Sequence, residues 1–278
     1  MELYRDHFQN YKRYSIPKAQ LIIADIPYNI GVNAYASNPS WYKDGDNKNG
    51  ESELAGKSFF DTDKDFRVPE FMHFVSTMLK KEPKATRQAG CMIVFCEFEQ
   101  QFMLIEEGKK YGFNHYINLI FKKNYSAQVL KANMKVVGNC EYALLLYREK
   151  LPKFNNDGKM IFNCMDYVRD TETPKIHPNQ KSLPVIRNLI NIFTDAGDVV
   201  IDPTADSGVT LLAAEQLGRK SYGFEIKKEF VEGFHSMLAK NVQITVFQQE
   251  LTKKTMGAVV EQLDLFQSDS NPERAENK

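Results

Sequence analysis

Two short stretches carry acids directly after apolar runs. Asp25-Ile26-Pro27-Tyr28 follows "LIIA", and Asp202-Pro203-Thr204-Ala205-Asp206-Ser207-Gly208-Val209-Thr210 follows "VVI". The second is a tight turn whose small residues let the backbone approach a ligand, and open α/β sheets bind ligands at the carboxyl ends of their strands. About twenty residues downstream, Glu225 ends another short strand, where an acid accepts hydrogen bonds from ribose hydroxyls. Neither GxGxxG nor GKS/T is present, so an adenosyl ligand without phosphate fits better than a nucleotide. Taken alone the turn also fits an ordinary strand-to-helix connection, and Asp206 stands where such turns favour glycine. In the first stretch an acid, a proline and an aromatic form a small polar pocket with one flat wall. The plainer alternative is a strand stop, with Pro27 ending the ladder and Tyr28 packed on the core.

Elements that position these tips are legible as short apolar runs rich in β-branched and aromatic residues. They lie at 21–25, 91–97, 116–121, 141–147, 198–202 and 221–226. Helical patterns lie between some of them: 68–81, with an acidic first turn and lysines at its end, 182–193, and 207–218, stopped by Gly218. Strands alternating with helices indicate an α/β fold with a largely parallel sheet. From Asn33 to about Arg67 the chain is dense in Asn, Asp, Gly, Ser and Lys around Trp41, which marks an insertion loop with a function or without order. From Leu251 onward it is a polar tail, read as disordered.

With 278 residues and 42% hydrophobic content the chain can bury a core. Lysine plus arginine equals aspartate plus glutamate at 36 each, so any affinity for nucleic acid must come from a local patch. Four cysteines without CxxC spacing read as reduced thiols, with no metal site. No apolar run approaches the ~20 residues of a membrane helix, and no signal peptide is recognisable. The expectation is a soluble cytoplasmic protein that does not engage membranes.

Four motifs in order then carry a family resemblance. "DIPY" resembles the DPPY motif of amino-group DNA methyltransferases, and "DPTADSGVT" resembles their DPFAGSGTT cofactor loop. "HPNQK" (177–181) is similar to their HPTQKP element, and "GRKSYGFEI" to their ribose-binding strand. With the catalytic motif before the cofactor motif, the order is that of the permuted β group, over about Leu21 to Leu238. The resemblance implies a seven-stranded Rossmann-like, circularly permuted methyltransferase sheet and base flipping in duplex DNA. It implies transfer of a methyl group from S-adenosylmethionine to an exocyclic amine, most often adenine N6. Asp25 and the Ile26 carbonyl would accept the amine's hydrogens, Pro27 would keep the turn and Tyr28 would stack on the base. His177, Asn179, Gln180, Lys181, the loop Asp202–Gly208 with Thr210, and Glu225 would bind the cofactor, with His177 ordering its own turn. Four departures stand out, the first being Ile26 in place of the first proline of DPPY. Thr204 replaces an apolar wall, Asp206 replaces glycine near the cofactor's methionine end, and Ser182 replaces proline. Rival readings are cytosine-N4 methylation and a DNA-binding relative that has lost the cofactor.

Residues 1–250 are expected to form the methyltransferase domain, with 33–67 as its insertion and 122–175 as a DNA-recognition region. Lysines cluster between 109 and 153, and Lys122, Lys123, Lys131 and Lys135, mixed with Asn, Gln and Tyr, suit phosphate and base-edge contacts. Trp41 is the other candidate for holding DNA. Within the tail 251–278, Gln262-Leu263-Asp264-Leu265-Phe266 resembles the peptide by which bacterial proteins bind the sliding clamp. The alternative is a last amphipathic turn packed on the parent domain.

Overall fold

The computed structural model describes residues 1–27, 66–125, 128–131, 136–171, 173–177 and 179–239. Met1–Val231 form one unit and Glu232–Lys278 a second, of which residues 232–239 are described and helical. The first unit is built on an eight-stranded sheet. Its strands are β1 (Glu2–Tyr4), β2 (Leu21–Asp25), β3 (Cys91–Phe95), β4 (His115–Lys122), β7 (Cys140–Tyr147), β8 (Cys164–Asp166), β9 (Val199–Asp202) and β10 (Lys220–Phe224). A separate antiparallel hairpin, β5 (Gln128–Lys131) with β6 (Val136–Gly138), lies between β4 and β7 in sequence.

Across the large sheet the order is β1-β10-β9-β2-β3-β7-β4-β8, and β7 alone runs antiparallel to its neighbours. β3 is buried at every position, as is β2 up to Asp25, which runs of Leu, Ile, Val, Met and Phe achieve only with both faces covered. From β9 the chain continues outward to β10, and from β2 it continues the other way to β3. The boundary between β2 and β9 is therefore a topological switch point, where the strand ends leave a crevice. The sheet has eight strands rather than the expected seven. Both outermost strands, β1 and β8, are three residues long, too short for side-chain alternation to be readable.

Among the described residues, α1 (Val68–Met78), α2 (Phe98–Lys110), α3 (Leu183–Phe193) and α4 (Val209–Gln216) cover these strands. α1 begins at a Pro-containing first turn and buries Phe71, Met72, Phe74, Val75 and Met78, while α3 buries seven apolar residues. α2 has no counterpart in the sequence reading, because its polarity runs against the usual pattern. Gln100, Gln101, Leu104 and Gly108 face inward, whereas Phe98, Phe102 and Met103 are exposed. α4 is buried from Val209 to Ala214 and ends before Gly218, whose φ of +73° closes the turn as expected of a C-terminal glycine. Gly223 of β10 lets this helix approach. A Cβ there would stand 2.8 Å from Leu211 Cδ1 and 3.0 Å from Ala205 Cβ. All four cysteines are free thiols, with Cys91 and Cys96 buried.

Candidate active site

β2 and β9 lie side by side, so Asp25 and Asp202 end neighbouring parallel strands. A cleft opens beyond them, and its walls include Asp25, Lys181, Asp202, Thr204, Asp206 and Thr210. The loop between β9 and α4 is fixed by its own backbone. Thr204 N–H donates to Asp202 Oδ1 (3.0 Å), Ala205 N–H to the Phe224 carbonyl (2.9 Å) and Gly208 N–H to the Ala205 carbonyl (2.7 Å). Glu225 binds the back of this loop, accepting from Asp206 N–H (3.0 Å) and from Lys227 N–H (2.6 Å). It is buried.

Asp206 has a φ of +47° and Gly208 one of +71°. Among residues with a Cβ, Asp and Asn enter this left-handed region most readily, so Asp206 keeps the backbone a glycine would give and adds a carboxylate. Burial, followed by repulsion from Asp25, Glu225 and Asp202, pushes that carboxyl well above its usual range, against the pull of Lys181. Burial likewise raises Asp202 to about 7 despite hydrogen bonds from Thr210 and the Thr204 N–H. His177 moves the other way, to about 4, because it is buried and faces Lys181, Lys227 and Lys175. Its Nδ1 accepts from Asn179 N–H (3.2 Å) and lies 3.9 Å from Asp206 Oδ2, and its ring stands edge-on to Phe230. Gln180 bridges Ile176 N–H and the Pro174 carbonyl, fixing the same turn.

At the other tip, Lys181 Nζ lies 2.9 Å from Asp25 Oδ2, 3.5 Å from Glu141 Oε2 and 5.2 Å above the Phe95 ring. Glu141 Oε1 also pairs with Lys123, whose ammonium sits over Tyr167 (4.9 Å). Burial pushes Glu141 toward the neutral form, but Lys181 and Lys123 outweigh it and hold the carboxyl below its ordinary value. Gln100, in the capping box of α2, donates from Nε2 to the Pro27 carbonyl (2.7 Å) while its Oε1 accepts from Glu97 N–H (3.0 Å). The Ile26 side chain is buried in the apolar core.

The family model for N6/N4-type DNA methylases matches residues 19–237. The chain belongs to this DNA methylase family. DNA adenine methyltransferase YhdJ of Escherichia coli K12 is 29% identical to this chain over 138 residues, which is 49% of this chain and 42% of YhdJ. Type II methyltransferase M.MjaI of Methanocaldococcus jannaschii is 30% identical over 159 residues, 49% of this chain and 52% of that protein. The chain thus spans about half the length of these two relatives. The crystal structure of the M1.HpyAVI–SAM complex shares the fold, with a TM-score of 0.61 at 20% identity, covering 85% of this chain and 98% of that one. So does PvuII DNA methyltransferase, described as cytosine-N4-specific, with a TM-score of 0.59 at 16% identity, covering 84% and 85%.

Against this fold, several expected positions can be located. Asp25, Lys181 and the 204–207 loop share the cleft, but Lys181, expected with the cofactor loop, is paired with Asp25. Ser182 uses what a proline lacks, since its N–H donates to Tyr167 Oη (3.0 Å) and its hydroxyl to the Val168 carbonyl. Lys122 is exposed, but Lys123 is 8% exposed and turned onto Glu141, a correction to its expected place at DNA phosphates. The wider basic cluster is also partly consumed internally. Lys110 pairs with Glu107, Lys153 with Asp195 and Asp198, and Arg148 with the carbonyls of Ser76 and Lys80. Lys131 has its backbone in β5; Tyr28, Trp41, Lys135 and Gln262 to Phe266 lie outside the described residues. Glu141, Gln100 and Tyr167 were missed. A charge at the start of the apolar run "EYALLLY" was the one sequence signal for Glu141.

Proposed function

We propose that this methylase transfers a methyl group from S-adenosylmethionine to adenine N6 in duplex DNA, as a permuted β-group enzyme. The carrying observation is one cleft that holds both Asp25 and the Thr204–Ser207 loop. The cofactor supplies, when bound, a methyl group on a sulfonium whose leaving group is a neutral thioether. The residues fit such a group: Asp25, Asp202 and Asp206 make an acidic wall suited to a phosphate-free cation. The cofactor's carboxylate would meet the backbone N–H groups that open α4.

The substrate amine is a poor nucleophile because its lone pair is delocalised into the ring. Asp25 and the Ile26 carbonyl accept its two hydrogens, and this favours a pyramidal nitrogen with its lone pair aimed into the cleft. With the cofactor bound, transfer would leave sulfur as a neutral thioether and the amine with one surplus proton, which water would take. No covalent enzyme intermediate is needed, so positioning and electrostatics carry the rate. Tyr28 stacks on the flipped base, and residues 33–67 with Trp41 close over it or read the sequence. Lys122, Lys131 and Lys135 contact phosphates. Asp25 favours adenine over cytosine, since the cytosine-N4 group often has serine there, and the name of YhdJ agrees.

The expected product is N6-methyladenine in nucleosides from DNA treated with the purified protein. N4-methylcytosine there would reverse the base assignment, and DNA binding without cofactor heat in calorimetry would favour a non-catalytic relative. The tail peptide 262–266 is proposed to dock on a sliding clamp, coupling methylation to newly replicated DNA. A pull-down with purified clamp should lose the protein on Leu265→Ala and Phe266→Ala, and retention by both variants would end that idea.

A further inference from the structure

Four alternating charges run in file from the end of β4 to the catalytic tip: Lys123, Glu141, Lys181 and Asp25. The sheet sets their order. Asp25 pairs in register with Phe95, and Phe95 with Ala143, so the three share one face. Glu141, two residues before Ala143 on the reversed strand β7, falls on that face one step beyond the tip of β3. Lys181 spans the gap, its ammonium over the Phe95 ring between the two carboxylates. The far end of Glu141 is held by Lys123, which also closes the base of the excursion 123–141 by donating its backbone N–H to the Asn139 carbonyl (2.7 Å).

We propose that Glu141 is a positioning residue for methyl transfer: it holds Lys181 so that Lys181 fixes Oδ2 of Asp25 and turns the carboxylate to receive the substrate amine. This rests on the assignment of Asp25 above. A long lysine side chain has many rotamers, and one carboxylate partner leaves it free to swing about that contact. A second carboxylate, itself clamped by another lysine, removes that freedom. Misplacement of a reacting group by about an ångström costs up to a hundredfold in rate, so Glu141 acts on turnover rather than on affinity.

The test compares Glu141→Gln, Lys181→Met and Lys181→Arg in steady-state methylation of DNA, with cofactor affinity measured separately by calorimetry. Glu141→Gln and Lys181→Met are expected to lower kcat about tenfold or more, with KM for DNA and cofactor Kd within about twofold of the parent. Lys181→Arg keeps the cation and should retain most of the rate, and the Glu141→Gln/Lys181→Met pair should be far from additive. Parental kcat in Glu141→Gln, or a loss expressed wholly in Kd or KM, would overturn the proposal. Should Glu141→Gln not fold, the contrast between Lys181→Met and Lys181→Arg decides the matter, and equal losses in the two count against it. An inactive parent protein would instead sink the methyltransferase reading itself.

Discussion

With φ at +47°, Asp206 occupies backbone space that glycine fills in the family pattern, so the departure changes charge rather than chain path. Its carboxyl joins Asp25 and Asp202 in the cleft wall, where burial and those acids favour the neutral form; a sulfonium beside it would draw it back to the anion, and a neutral thioether would not. Asp206→Gly should therefore lower the ratio of affinities for S-adenosylmethionine over S-adenosylhomocysteine by about fivefold at pH 8, measured by calorimetry; an unchanged ratio would remove Asp206 from this role. Asp202 makes a stability prediction. Its folded value of about 7 lies above the ordinary 3.8, so between those values the folded state retains a proton the unfolded chain has released. Stability from this group falls as pH rises through that window, and its full cost, about 4 kcal/mol, stands above it. His177, held at about 4 against 6.5, costs stability only on the acid side. Asp202→Asn should thus raise the melting temperature at pH 8 and raise it less at pH 5. The types of these residues could be read from the chain, but the pairing of Lys181 with Asp25 could not, because more than 150 positions separate them and the sheet alone brings them together.

Elements with uniform burial were the legible ones. β2 matched its apolar run to the residue, and α3 matched within one. α2 escaped because its inward face carries two glutamines and a glycine, one glutamine being the clamp on the Pro27 carbonyl. Its exposed Phe98, Phe102 and Met103 send the periodic signal to the wrong face. Tight contact between α4 and β10 was equally hidden, since it depends on a hydrogen at Gly223. Gly223→Ala should cost about 1–3 kcal/mol in thermal unfolding. It should also weaken cofactor binding, because Ala205, which cannot yield as a flexible Leu211 tip can, belongs to the loop proposed to hold the cofactor. Unchanged cofactor affinity in a destabilised variant would separate packing from the loop.

Over the whole chain the formal charge is zero, so the proposed DNA affinity must rest on a local set of outward lysines. Burial sorts them. Lys122→Ala should reduce the salt slope of DNA binding by about one unit with little effect on folding. Lys123→Ala, which leaves Glu141 without one of its two cations, should instead cost about 3 kcal/mol of stability. The sheet order carries the larger argument, since the chain leaves β9 and β2 in opposite directions and so opens the crevice where both acidic tips stand. Motif order suggested that meeting, and the parallel register of Leu21 with Val200 produces it. The most direct measurement is mass spectrometry of nucleosides from DNA incubated with S-adenosylmethionine carrying an isotopically labelled methyl group. The parent protein should place the label on adenine N6 and Asp25→Ala should place none; label arriving at the parental rate with Asp25→Ala would contradict the account.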